Sequence, residues 1–185
     1  MTLNILLTGR PGIGKTTIIR KFVRRCSITV GGFLTSEIRE HGVRAGFAID
    51  AIRSQDQETR EDSGGKYHAV MAHINYRSPY RVGRYGVNTA AIETVGVADL
   101  RKAVRSAHLI IIDEIGRMEP YCEPFKKEVN TVLDCPIPVP GVIQMKRNPF
   151  PDGIRNRGDV TVIEVTLENR DILPERLLES FGMEM

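Results

Sequence analysis

Two short patterns in the sequence carry residue types able to work on phosphate. The first is Gly9-Arg10-Pro11-Gly12-Ile13-Gly14-Lys15-Thr16, which satisfies G-x-x-x-x-G-K-[ST] in full and is followed by Thr17. Glycines let the backbone curl around an anion without Cβ clashes, so successive N–H groups converge on it. A helix starting near Lys15 aims the positive end of its dipole at the same point. Lys15 has the length to reach β- and γ-phosphates, and the Thr16 hydroxyl suits a magnesium ion. Thr17 is a candidate for the α-phosphate, with plain helix packing as its alternative. A dinucleotide site needs G-x-G-x-x-G, whereas these glycines fall as G-x-x-G-x-G before Lys-Thr. The pattern predicts binding of a nucleoside triphosphate with Mg2+ as cofactor.

The second pattern is Asp113-Glu114, which closes the apolar run Leu109 to Ile112. An acidic residue at the carboxyl end of such a strand supports the magnesium, so Asp113 is expected to join Thr16 as a metal ligand. Glu114 is the candidate general base for an attacking water. Hydrolysis with no positive group on the γ-phosphate runs near ~10⁻⁴ per second, and an arginine raises it by ~10³ to ~10⁵. Arg117, three residues beyond Glu114, is the preferred choice, ahead of Arg39 and Arg44. Glu119 is expected to pair with a basic group or to lie exposed. At the base end, Thr166-Leu167-Glu168-Asn169-Arg170-Asp171 follows the last strand. Arg170 is a candidate for stacking on a purine and Asn169 for hydrogen bonds to it. Capping of the final helix by Asn169 or Asp171 is the equal alternative.

The elements that must position these residues are legible from periodicity. Leu3 to Thr8 reads as a buried parallel strand feeding the glycine loop, and Thr16 to Arg25 as an amphipathic helix that Gly31-Gly32 follows. Val43 to Ala51 alternates with a period of two, and Glu40-His41-Gly42 turns it back on Phe33 to Ile38. Tyr67 to Ile74 is a further strand, and Ser54 to Lys66 reads as an exposed loop. Helices are expected over Asp99 to Ala107, Glu123 to Leu133 and Leu173 to Phe181. Further strands are expected over Ile137 to Ile143 and Val160 to Val165. Alternating strands and helices at both ends imply an α/β fold with a mostly parallel sheet. Residues 1–185 are expected to form one domain with an antiparallel β-rich insertion at about 31–85.

Composition sets outer limits. The chain has 185 residues, 41% hydrophobic and 26% charged, with a formal charge of +3. No apolar run is long enough to span a bilayer, and Met1 to Thr8 lacks a signal peptide's basic start and cleavage site, so a cytoplasmic protein is expected. Cys26, Cys122 and Cys135 fit neither a disulfide framework nor a zinc site, and the four histidines have no ligand spacing. Basic clusters at Arg20 to Arg25 and at Arg77, Arg81 and Arg84 leave a nucleic-acid partner open without demanding one. A monomer is expected rather than an obligate oligomer.

Four ordered motifs resemble a known family. Gly9 to Thr17 (GRPGIGKTT), Gly32 to Arg39 (GFLTSEIR), Asp113 to Glu119 (DEIGRME) and Thr166 to Asp171 (TLENRD) look like the nucleoside-triphosphatase family of thermophilic archaea and bacteria. The vertebrate cancer-related nucleoside-triphosphatase is part of the same family. The resemblance implies a RecA-like phosphate-loop three-layer sandwich of the class with a catalytic glutamate. It also implies slow, magnesium-dependent hydrolysis of ATP, GTP and other triphosphates with loose base preference. Lys15 and Thr16 carry over as phosphate and magnesium contacts, and Asp113 and Glu114 as the acidic pair. The family often has lysine where this chain has Arg117, which weakens an arginine-specific role there. A nucleotide or nucleic-acid kinase, and a nucleotide-dependent switch or RNA-binding module, are the alternatives.

Overall fold

The computed structural model describes residues 3–52 and 68–183. The loop expected over Ser54 to Lys66, with Tyr67, lies outside the described residues. Among the described residues, nine strands form one sheet in the order β5-β6-β4-β3-β2-β7-β8-β1-β9. The strands are β1 Asn4–Thr8, β2 Val30–Glu40, β3 Val43–Ala51, β4 His68–His73, β5 Arg81–Val82, β6 Tyr85–Val87, β7 Leu109–Ile115, β8 Val139–Ile143 and β9 Val160–Glu164. From β2 to β9 the pairing is parallel, and from β2 to β5 it is antiparallel.

The parallel half explains its own sequence. Strands covered on both faces must be apolar on both. In β7, Ile110 and Ile112 enter one core while Leu109 and Ile111 enter the other. The first core lies under two helices. One is α2, residues 89–106, whose α-helical ends Thr89–Ala91 and Ala98–Ser106 flank a π-helical stretch Ile92–Val97; the other is α3, Glu123–Asp134. The second core lies under α1, Lys15–Arg25, and α5, Leu173–Ser180, where Phe22 meets Phe181 with ring centroids 5.7 Å apart. Helices on both faces of one sheet give the expected three layers. Among the described residues, no helix is long and apolar enough to cross a membrane.

The β insertion is continuous with this sheet through a single long strand. Val30 to Phe33 of β2 pair in parallel with Leu109 to Ile112, and from Phe33 to Glu40 the same strand pairs antiparallel with β3. Gly31 and Gly32, met in sequence as the break after α1, lie inside it. Beyond Phe33 the strand runs on past the end of β7, which at about 3.3 Å per residue carries the hairpin roughly 10–15 Å over the carboxyl ends of the parallel strands. We call β3 to β6 with this overhang the wing.

The start of α2, the whole of α4, and strands β5 and β6 escaped the sequence reading. Helix α2 starts ten residues ahead of Asp99 because Asn88 caps it, accepting from Ala91 N at 3.1 Å. Its Val95, Gly96 and Val97 are poor helix formers, and burial against the wing's Ile49 and the core overrides that preference. Helix α4, Pro149–Arg155, hides behind two prolines and a glycine, yet Asn148 caps it and Pro149 sits where a helix tolerates proline. Strands β5 and β6 are too short to show a period.

Candidate active site

The glycine loop leaves β1 and enters α1 at the carboxyl edge of the sheet. Gly12 and Gly14 have φ of 78° and 110°, and a Cβ on either would meet nothing within 4 Å. Their requirement is therefore the left-handed backbone and not space. Gly14 is the N-cap of α1, with no side chain blocking the first turn's free N–H groups. Lys15 Nζ donates to Gly9 O at 2.9 Å and Arg10 O at 3.1 Å, tying the loop over its own lysine. Arg10, Pro11, Gly12 and Thr17 are exposed, and Ile13 packs beside the second core.

Only β8 stands between β1 and β7, so the two motifs face each other across one strand. Thr16 Oγ1 donates to Asp113 Oδ1 at 3.2 Å, joining residues 97 apart in sequence. Asp113 is fully buried, and its second oxygen, Oδ2, has no hydrogen-bond partner. Burial and the neighbouring Glu114 raise its pKa to about 7, against the Thr16 hydrogen bond, the Arg20 charge and the backbone N–H of Thr35, which lower it. A hydroxyl and an unpartnered carboxylate oxygen are hard oxygen donors of the kind magnesium takes. The residues present therefore fit that ion. Glu114 also sits above its usual pKa because of burial, with the Lys15 charge opposing. A register slip between Asp113 and Ile115 sets Glu114 apart from the β8 ladder.

Glu119 corrects an expectation: it neither pairs with a base nor lies exposed. It is buried and accepts hydrogen bonds from Gly116 N at 3.1 Å and Met118 N at 3.2 Å. A Cβ on Gly116 would lie 2.6 Å from Glu114 Oε1 and 2.8 Å from Glu119 Oε2, so the two carboxylates flank this glycine. Burial and then the Glu114 charge push Glu119 up to about 8, and the backbone N–H groups of Glu119, Met118 and Gly116 hold it down. Its function here is to fold the turn that carries Arg117. Arg117 itself is exposed. Arg39 and Arg44 share Glu37, at 2.7 Å and 2.9 Å, on the outside of the hairpin.

The segment after β9 runs beside the glycine loop, since Val165 N donates to Thr8 O at 2.8 Å. Asn169 Oδ1 accepts from Thr166 N at 2.9 Å and its Nδ2 donates to Glu164 O at 2.8 Å. Its side chain thus closes its own loop with both polar ends, while Arg170 is exposed with Asp171 3.9 Å away.

Sequence reasoning missed Gln144. It follows β8, with its N–H donating to Ile115 O at 3.1 Å. Val142, two residues earlier, lies in the core with Ile111 and α1, so the alternation of β8, continued one residue past its end, puts Gln144 on the Asp113 face of the sheet. It is 7% exposed, and neither side-chain amide atom has a hydrogen-bond partner. Buried polar groups are nearly always satisfied, so this one asks for a ligand. The available signal was a polar residue closing the apolar run Pro138 to Ile143.

A three-layer sheet in which one strand separates a phosphate loop from an acidic strand end defines a phosphate-loop NTPase. The chain belongs to the nucleoside-triphosphatase family: the family model described as NTPase matches residues 4–178. The chain is 39% identical over 176 residues to the nucleoside-triphosphatase THEP1 of Thermotoga sp. (strain RQ2), covering 95% of this chain and 94% of that one. To the THEP1 of Thermofilum pendens it is 40% identical over 181 residues, with coverage of 94% and 92%. Among solved structures it is similar to THEP1 from Aquifex aeolicus, with a TM-score of 0.82, 32% identity and coverage of 96% and 98%. It is also similar to a human cancer-related nucleoside triphosphatase, with a TM-score of 0.76, 30% identity and full coverage of both chains. The resemblance drawn from the four motifs holds, and the protein is a nucleoside-triphosphate hydrolase.

Proposed function

We propose that the enzyme hydrolyses ATP, GTP and other nucleoside triphosphates to diphosphate and phosphate, with Mg2+ as cofactor and little regard for the base. The observation that carries this reading is the 3.2 Å Thr16–Asp113 contact with Asp113 Oδ2 left buried and unpartnered beside it. Thr16 and Asp113 would hold the ion, which when bound neutralises charge on the triphosphate oxygens. Loop N–H groups and the start of α1 cradle the phosphates, and Lys15 turns from the loop carbonyls to the β- and γ-oxygens. Glu114 orients water and accepts its proton as the oxygen attacks the γ-phosphorus and the bond to the β–γ bridging oxygen breaks. The Gln144 amide, on the same face, donates to a γ-phosphate oxygen or to that water. Loose base preference is supported by Asn169, whose amide is committed to its own loop.

Phosphate release from ATP, GTP, CTP and UTP, with magnesium and with chelator, tests the proposal. Wild type should turn over all four within ~10-fold of one another and lose activity with chelator. Glu114→Gln should bind nucleotide normally and lose ~10²- to 10⁴-fold in kcat, the range for a general base. Normal turnover by that variant removes Glu114 from the role, and activity in chelator removes the ion.

A further inference from the structure

One surface of the wing takes no part in that chemistry. From Ile74 to Ile92 the sequence has three arginines, three tyrosines and no acidic residue. Arg77, Arg81 and Arg84 are exposed. Arg81 Nη2 donates to Arg84 O at 2.7 Å and Arg84 Nη2 to Arg44 O at 2.5 Å, so their partners are neutral carbonyls. Two carboxylates of the wing hairpin are engaged elsewhere, Glu37 by Arg39 and Arg44 and Glu40 by His73. Among the described residues, none of these three arginines forms an ion pair, and they stand on one edge of the sheet.

Aromatic rings lie among them. Tyr76, Tyr80 and Tyr121 are 38%, 43% and 41% exposed. Tyr80 and Tyr121 have ring centroids 5.3 Å apart, and Tyr121 Oη donates to Arg81 O at 3.4 Å. The Arg84 guanidinium lies 5.3 Å from the centre of the Tyr85 ring. The backbone beneath is held: Val87 N donates to Tyr80 O at 2.9 Å and Ile74 N to Ala45 O at 2.9 Å. Gly86 admits the crossing chain, since a Cβ there would lie 1.9 Å from Tyr76 O. The rings and charges thus stand on a pre-formed platform, which lowers the ordering cost of binding.

Arginines without carboxylate partners attract phosphates, and exposed phenol rings stack on bases whatever their identity. A partner that offers both at alternating positions is a single nucleic-acid strand. Duplex DNA hides its bases from tyrosine faces and is read by helices or ribbons larger than this two-residue edge strand. A second copy of this chain would bring the same positive face against itself. We propose that the face formed by Arg77, Arg81, Arg84, Tyr76, Tyr80 and Tyr121 binds single-stranded nucleic acid, arginines on phosphates and tyrosines on bases. The proposal goes beyond the hydrolytic reading and does not depend on it.

Fluorescence anisotropy with a labelled twelve-residue oligouridine RNA, titrated with the full chain, tests it. The single strand should bind more tightly than an RNA duplex of equal length or heparin. Log affinity should fall with log salt at a slope of about −2, from three phosphates at about 0.7 each. Arg81→Ala with Arg84→Ala should weaken binding ~10-fold or more. Tyr80→Ala should weaken it ~5-fold or more, and Tyr80→Phe should restore it. Phosphate release by all these variants should stay within ~2-fold of wild type, which shows that they fold. Absence of binding by wild type overturns the proposal, as does equal affinity for heparin or indifference to Tyr80→Ala. Self-association lost in Tyr80→Ala, without RNA binding, overturns it in favour of a protein interface.

Discussion

Strands β7 and β3 belong to one sheet and have opposite surroundings. In β7 every residue from Leu109 to Ile112 is fully buried, because helices cover both faces. In β3 burial is incomplete: Ala45, Gly46, Ala48 and Ile49 are buried, the residues between and beyond them are only partly so, and Val43 at its start is 60% exposed. A strand buried on both faces has no side chain free for chemistry until near its end, and β7 carries Asp113 and Glu114 just ahead of its last residue, Ile115. The wing, covered by α2 on one face, keeps side chains free along its length and at its edge, where Arg81, Arg84 and Tyr80 stand. The parallel half concentrates function at strand termini, and the wing spreads it over a surface.

That contrast can be broken by substitution. The largest effect is expected from Lys15→Ala, which should lose ~10³-fold or more in kcat/KM and most nucleotide affinity, measured by phosphate release and nucleotide titration. A wing charge such as Arg81 should leave turnover nearly intact, and equal losses at the two places would erase the distinction. Next comes the core itself. Ile111→Ala should cost ~2–5 kcal/mol in denaturant unfolding, and Val43→Ala under ~0.5 kcal/mol. A matching cost at Val43 would mean that the wing face is covered.

Gln144→Leu should lower kcat ~10- to 100-fold while leaving unfolding free energy unchanged or raised by ~1 kcal/mol, because an unpartnered buried amide is removed. A destabilised variant with normal turnover would make Gln144 a packing residue. The smallest effect concerns Glu119. Its pKa is about 8 in the folded state against an ordinary 4.5. Between those values the folded chain holds a proton that the unfolded chain has released, so stability falls as pH rises through that window. Glu119→Gln keeps an acceptor for Gly116 N and Met118 N without the charge. Its Tm relative to wild type should rise by a few degrees between pH 5 and pH 8. A constant difference across that range would mean that Glu119 titrates as an exposed carboxylate.

Elements made of strong local signals were legible along the chain. The glycine loop, the apolar runs of β1 and β7, and the Val43 to Ala51 alternation all satisfy a period or spacing that few other structures permit. The wing's small strands and the first half of α2 were not legible, because their stability comes from neighbours: Ile49 against Gly96, and the chain at Tyr76 against Gly86. Glu119 was misjudged for the same reason, since an acidic residue reads as exposed until two backbone N–H groups turn inward to meet it.

By itself the sequence determined that a phosphate loop and an acidic pair are present and that an α/β fold carries them, because backbone freedom and hydrophobic period are local properties. The tertiary structure alone decided that Thr16 meets Asp113 across 97 residues, that the Gln144 amide is buried without a partner at the end of β8, and that Tyr121 meets Tyr80. Those are consequences of strand order, and strand order is set by how the two cores pack, which no window along the chain records.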